Sequence, residues 1–362
     1  MITISLCMII RDEAETIARC LDTVKDIVDE IIIVDTGSVD KTKSILTEYT
    51  AYIYDFKWID DFAAARNYSF SKATQEYILW LDADDVLLEE DRKKFKYLKE
   101  HMEPSVDVVM MKYNLGVDNK ERAACTYYRE RLIKRNKNFK WNDPVHEYIK
   151  PTGNIITVGI GITHKKLKQR SSRNLEIFEK MIQSGEKLSH RNCFYYGREL
   201  NANGRYDEAM VYFEKFLSQE GGFYSNYMDA CIEFSKIYTK KGDTKSAIKT
   251  LLRCFEFGVL RAEICCELGI QYEEMKDYER AISWYDIATK LSKPENTLGA
   301  VIHNFYDYIP YASIGICYFK LKNIQQAIKY NEKAAEFKPD SFVVNNNRKY
   351  FNSLLNCERK QP

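Results

Sequence analysis

The sequence predicts an α/β domain with a mostly parallel sheet over residues 1–170, followed by an all-α domain of helical repeats over residues 171–362. Three observations predict this. Short apolar runs alternate with amphipathic stretches in the first part, as in strand–helix units built on a parallel sheet. The strand signal disappears after about Ser171. Beyond that point, one template of small, aromatic and alanine positions recurs four times.

Ile2–Ile10 is a β-rich run of the kind buried on both faces of a parallel sheet. Glu13–Val24 places Ile17, Cys20, Leu21 and Val24 at helical spacing. Glu30–Val34 predicts a second buried strand, ended by Asp35-Thr36-Gly37-Ser38. Asp40–Tyr49 predicts a helix, Tyr52–Phe56 a third strand and Ala63–Ala73 another helix. Tyr77–Leu81 is a fourth strand, ending in Asp82-Ala83-Asp84-Asp85. From Val106 to His164 the pattern is mixed, with strands expected near Val106–Tyr113, Thr126–Ile133 and Ile155–Thr163.

The repeats align on Gly197, Ser235, Gly269 and Gly315, at steps of 38, 34 and 46 residues. A step of about 34 is the tetratricopeptide period. The long last step holds an insertion, Pro294–Tyr308. Small residues let paired helices approach closely, and aromatics fill the space between successive hairpins.

A chain of 362 residues with 45% apolar and 30% charged residues can bury two cores. The formal charge of +1 asks for neither nucleic acid nor an anionic membrane as partner. Ten scattered cysteines without a C-x-x-C are expected to be free thiols in a reducing cytoplasm. The first ten residues lack a basic segment before their apolar run, so no signal peptide is expected. No stretch reaches the length of a membrane span.

The acidic end of the fourth strand is the strongest chemical signal. Open α/β sheets bind ligands at the carboxyl ends of their strands. In extended chain, residues two apart lie about 6.6 Å from each other. Asp82 and Asp84 would therefore share a metal only if the chain turns there. The reading gives Asp84 the metal and Asp82 a ribose hydroxyl or a metal-bound water. Asp35 can accept from a base N–H or a sugar hydroxyl, or it can cap the helix that follows. Arg66 and Asn67 open the helix before the acidic strand.

Together Ile4–Glu13, Glu30–Ser38, Asp61–Asn67 and Leu81–Asp85 resemble the inverting family 2 glycosyltransferases of the GT-A fold over roughly the first 100 residues. Where such enzymes usually carry Asn before the glutamate, this chain has Asp12. The resemblance implies a nucleoside-diphosphate sugar donor, a UDP-sugar above all, contacted by Ile10, Glu13, Asp35, Arg66, Asp82 and Ala83. It also implies Mn²⁺ or Mg²⁺ held on the diphosphate by Asp84.

Trp141-Asn-Asp-Pro-Val-His-Glu147, followed by His164, is similar to the subgroup whose catalytic domain precedes tetratricopeptide repeats. That subgroup includes bacterial peptide glycosyltransferases, among them bacteriocin S-glycosyltransferases. The acceptor must lose a proton as it attacks, and a carboxylate suits that task. Glu147 is the candidate base and Asp143 the alternative; His164 is the candidate further metal or phosphate contact. The repeats are expected to recruit a peptide or protein acceptor, or a second copy of the chain as a homodimer. Tyr195, Tyr196, Phe223, Tyr224 and Tyr227 exceed what the repeat template needs, and a chain cut after about Lys168 should keep donor hydrolysis. Two other classes stay open: a repeat scaffold with a decayed transferase domain, and a nucleotidyltransferase. The latter commonly carries a glycine-rich basic loop after its first strand, where this chain has Arg11-Asp12-Glu13.

Overall fold

The computed structural model describes residues 1–118, 120–167, 171–258 and 260–358. Lys168 and Arg170, where the sequence places a cut and a domain boundary, lie outside that set. The chain forms two compact units, Met1–Glu186 with Asn296–Ala300, and Lys187–Glu295 with Val301–Pro362.

In the first unit the strands β1 (Ile4–Ile10), β2 (Glu30–Asp35), β3 (Ile53–Asp55) and β4 (Tyr77–Trp80) lie where the apolar runs predict them. They pair in parallel in the order β3-β2-β1-β4. The helices between them, α1 (Ile17–Asp22), α2 (Thr42–Leu46) and α3 (Phe62–Phe70), are shorter than their periodic stretches. Alternation along β1 divides the core. Ile4, Leu6, Met8 and Ile10 pack with α1 on one face, and Cys7 packs with Ala63 and Phe70 of α3 on the other.

Beyond β4 come β5 (Asp85–Leu87), α4 (Glu89–His101), β6 (Val108–Leu115) and β7 (Cys125–Lys134). Then follow the short pair β8 (Trp141–Asn142) and β9 (Tyr148–Ile149), strand β10 (Ile155–His164) and helix α5 (Arg173–Gln183). The sheet continues from β4 through β7, β6 and β10 to β5, with β4–β7, β6–β7 and β10–β5 antiparallel.

Four of these elements escape the sequence reading: the two-residue strands β8 and β9, strand β5 and helix α4. Strand β5 is only three residues long and exists because Asp85, Val86 and Leu87 pair with His164, Thr163 and Ile162. Helix α4 fully buries only Phe95, so it has almost no apolar stripe. Its signal is charge: Glu89, Glu90 and Asp91 in the first turn, Lys99 and His101 in the last, matching the helix dipole.

The second unit is a run of helical hairpins. They are α6 (His190–Ala202) with α7 (Tyr206–Leu217), and α8 (Tyr224–Lys240) with α9 (Thr244–Leu252). Next are α10 (Ala262–Glu274) with α11 (Tyr278–Lys290), α12 (Tyr308–Lys320) with α13 (Ile324–Phe337), and a last helix α14 (Phe342–Glu358). Each hairpin turn contains one left-handed residue, Gly204, Gly242, Lys276 and Lys322 in order. In the last three hairpins the next residue, Asp243, Asp277 or Asn323, caps the second helix by accepting an amide hydrogen bond from Ser246, Arg280 or Gln326. Of the five surplus aromatics, Phe223 and Tyr224 are exposed, while Tyr196 and Tyr227 are buried in the hairpin core. Within the insertion, Asn296–Ala300 belongs to the first unit, where the Thr297 carbonyl accepts from the Tyr128 amide at 3.0 Å.

The small residues act as the template requires. A Cβ on Gly269 would stand 2.6 Å from the Tyr285 ring. That ring is fully buried and its hydroxyl donates to Glu273 Oε1 at 2.5 Å, so it cannot retreat. Gly269→Ala would gain about 0.5–1 kcal/mol of helix propensity, against about 1–3 kcal/mol lost to overpacking. We expect a net destabilisation on the order of 1 kcal/mol, read as a lower urea midpoint by circular dichroism. An unchanged or raised midpoint would show slack in that hairpin.

Candidate functional site

From β1 the chain builds outward to β2 and β3 on one side, then crosses back to place β4 on the other. Ligands of open α/β sheets settle in the crevice at such a reversal, outside the carboxyl ends of the strands. A cleft of about 360 Å³ lies there. The end of β1 supplies Ile10 and Glu13, the end of β2 supplies Thr36, and the end of β4 supplies Asp82, Ala83 and Asp84. Arg66, Glu147 and His164 reach the same cleft from α3, the loop before β9 and the end of β10.

Arg66 organises one wall. Its Nε donates to Glu147 Oε1 and its Nη2 to Asp82 Oδ1, both at 2.7 Å. Its guanidinium also lies 5.1 Å from the Trp80 ring centre and 4.8 Å from that of Trp141. Burial opposes the charge on Asp82, but Arg66 and Arg131 outweigh it and hold that carboxyl below the usual range. Neighbouring Asn67 fixes the segment that carries Glu147. Its side chain exchanges hydrogen bonds with the Trp141 backbone at 3.0 and 2.9 Å. Asp61 caps α3, and the Phe62 amide donates to the Pro144 carbonyl at 2.8 Å. Between these anchors Asp143 and His146 both adopt positive φ, 68° and 54°. The bend leaves Val145, His146 and Glu147 lining the cleft, whereas Asp143 does not line it.

The opposite wall is a carboxylate–imidazole cluster. His164 Nδ1 lies 3.3 Å from Asp84 Oδ1 and 3.3 Å from Asp85 Oδ1. Burial pushes the His164 pKa down, but hydrogen bonds to Asp84 and Asp85 outweigh it and raise it to about 10. One ligand atom from each of Asp84, Asp85 and His164 lies within 4.8 Å of the others, which suits a small divalent cation. Carboxylate oxygen with one imidazole matches Mn²⁺ or Mg²⁺ better than a thiolate-seeking metal. The cation would replace the imidazole proton.

Asp85 differs from Asp84 in being fully buried and already surrounded by donors. It accepts from Tyr113 at 2.9 Å, from Arg131 Nη1 at 3.1 Å and from the Asp82 amide at 3.1 Å. The last bond turns the chain between the two outer aspartates, as sharing a ligand would require. Arg131, also fully buried, places its guanidinium 3.8 Å from the Trp80 ring centre and 4.4 Å from that of Tyr113. Asp35 is fully buried as well. It accepts from the Gly37 and Ser38 amides and pairs with Lys43 at 3.4 Å, so the cleft wall at the end of β2 is Thr36.

A family model described as Glycosyl transferase family 2 matches residues 5–153, and one described as Tetratricopeptide repeat matches 229–257, 262–294 and 310–341. The chain carries a glycosyltransferase family 2 domain followed by tetratricopeptide repeats. A TPR repeat-containing protein of Synechococcus elongatus is 28% identical over 88% of this chain and 74% of its own length. The SPbeta prophage-derived glycosyltransferase SunS of Bacillus subtilis is 28% identical over 64% of this chain and 57% of its own. An uncharacterized glycosyltransferase of Rickettsia felis is 34% identical over 26% and 33%. The match thus spans little more than half of SunS and a third of the Rickettsia protein.

The site also holds residues to which the sequence reading gives no role. Asp85 is visible as the last acid of its run, but Tyr113 and Arg131 come from strands that pair only in the folded sheet. A charged residue beside the apolar Leu132-Ile133 was the available hint for Arg131. Arg11, Lys166 and Arg173 also reach the cleft of the glycosyltransferase domain; nothing in their local sequence separates them from solvated surface cations. Among the described residues, no helix is long and apolar enough to cross a membrane.

Proposed function

We propose that this chain moves a sugar from a nucleoside-diphosphate donor, a UDP-sugar above all, to a hydroxyl or thiol of a peptide or protein, with inversion at the anomeric carbon. The observation that carries this reading is the pairing, across one cleft, of the Asp84–His164 cluster with the Arg66–Glu147 wall. Thr36 would receive the base, with Asp35 holding the turn behind it and Ile10, Glu13 and Ala83 along the donor. Asp82, held by Arg66, would face the ribose. Bound Mn²⁺ or Mg²⁺ would neutralise the negative charge that grows on the departing diphosphate.

Glu147 would accept the acceptor proton as oxygen or sulfur bonds to the anomeric carbon and the bond to the diphosphate breaks. Its place in the cleft favours it over Asp143, which does not line that wall. The repeats would recruit the polypeptide acceptor: a stacked-hairpin surface exceeds what a nucleotide sugar needs, and exposed Phe223 and Tyr224 suit peptide contacts.

The test is a panel of nucleotide sugars incubated with the purified protein and Mn²⁺. One donor should be hydrolysed, and metal chelation should stop it. Cutting after Glu186, once folding is verified, should preserve that hydrolysis and sharply lower transfer to the acceptor that the full chain modifies. If no sugar nucleotide is consumed, the transferase reading fails; if the cut chain modifies the acceptor undiminished, the repeats do not recruit it.

A further inference from the structure

The family match ends at residue 153, yet the cleft has a wall beyond it. Helix α5, the last helix of the first unit, brings Arg173 to the cleft. Three contacts fix the helix against loops of the same site. Lys180 pairs with Asp60 at 2.7 Å, Phe178 stacks on His146 with ring centres 6.3 Å apart, and the Arg173 guanidinium sits 4.5 Å from the Phe62 ring centre. Leu175, Ile177 and Phe178 are all buried, so α5 is a packed element of the first unit rather than a loose connector.

Arg173 itself is solvent-exposed, and among the described residues it takes no hydrogen bond or ion pair. Protein crowding lowers its pKa, Glu147 raises it and Arg11 lowers it further. Glu147 and Arg11 line the same cleft. Of the cleft's other two arginines, Arg66 has both its carboxylates and Arg11 pairs with Asp12. A cation with open N–H groups in the same cleft as a metal-type acidic cluster fits an anionic ligand that the two can grip together. Guanidinium groups bind phosphate oxygens through two parallel hydrogen bonds.

We infer that Arg173 binds the diphosphate of the donor and of the nucleotide product, so that helix α5 is part of the donor site. The inference rests on the nucleotide-sugar reading above. It also moves the functional end of the catalytic unit past the cut expected at Lys168: removing α5 would remove a phosphate ligand and the support of the 143–147 loop.

The experiment uses the full chain. Calorimetry with Mn²⁺ compares wild type, Arg173→Ala and Arg173→Lys against UDP, GDP, ADP and CDP, and against the nucleoside of whichever binds tightest. Arg173→Ala should weaken the preferred diphosphate about 10- to 100-fold, as loss of a charged hydrogen bond does. Nucleoside binding should not change. Arg173→Lys should recover part of the loss, and the salt dependence of binding should flatten in Arg173→Ala. Equal diphosphate affinity in Arg173→Ala and wild type would overturn the inference. So would an equal loss for nucleoside and diphosphate, which marks a structural effect. If wild type binds no nucleoside diphosphate, the transferase reading falls first and this inference with it.

Discussion

Asp84→Asn should lower sugar transfer by about 10²–10³-fold at saturating Mn²⁺ while leaving the fold intact, a loss of the size that follows removal of one charge-stabilising group from an active site. Asp84 is well placed for this effect. Its side chain is 22% exposed, and the half-buried His164 against it keeps Asp85 as a second carboxylate when Asp84 loses its charge. The same substitution one residue later should behave differently. Asp85→Asn would leave Arg131 charged, fully buried and without its carboxylate, a change that costs about 3–5 kcal/mol when a buried pair is broken. Asp84→Asn should therefore melt like wild type and fail in catalysis, whereas Asp85→Asn should melt early. Nucleotide binding should separate them again: Asp84→Asn should lose only the Mn²⁺-dependent part. Full transfer by Asp84→Asn in saturating metal would remove Asp84 from the metal site.

Glu147→Gln should reduce turnover by about 10²–10⁴-fold, the contribution of a positioned general base. The substitution is clean because a glutamine oxygen can still accept the hydrogen bond that Arg66 Nε gives Glu147 Oε1 at 2.7 Å. Donor affinity should then stay close to wild type, and the loss should appear in kcat. Asp143→Asn should cost far less. The loss in Glu147→Gln should be smaller with a cysteine acceptor than with serine or threonine, since a thiol ionises near pH 8.5 without much help. Normal transfer by Glu147→Gln with failure of Asp143→Asn would make Asp143 the base.

These two residues show why the site was partly legible. Asp84 ends an apolar strand, and a strand end in a parallel sheet is a position that local pattern alone can find. Glu147 was visible only through its resemblance-bearing segment. Its approach to Arg66 depends on left-handed backbone at Asp143 and His146; both residue types are enriched at positive φ, yet few of them adopt it, so the local sequence does not mark the bend. The repeats were legible for the same reason as the strands. Each hairpin repeats one steric solution, so Gly197, Ser235, Gly269 and Gly315 mark it along the chain.

Local sequence determined the elements whose stability comes from burying one continuous face: β1 to β4, the helices between them, and the hairpins on their small-residue seams. Burial follows from apolar periodicity, which is written residue by residue. Tertiary structure alone decided the rest. Strand β5 is too short to announce itself and forms only against β10. The partners of Asp85 come from 28 and 46 residues away, and Arg173 reaches the cleft only because α5 packs on loops near residues 60 and 146. Charges and hydrogen bonds act over a few ångströms in space, whatever the distance along the chain. The sheet's strand order, not the local sequence, sets which of them meet.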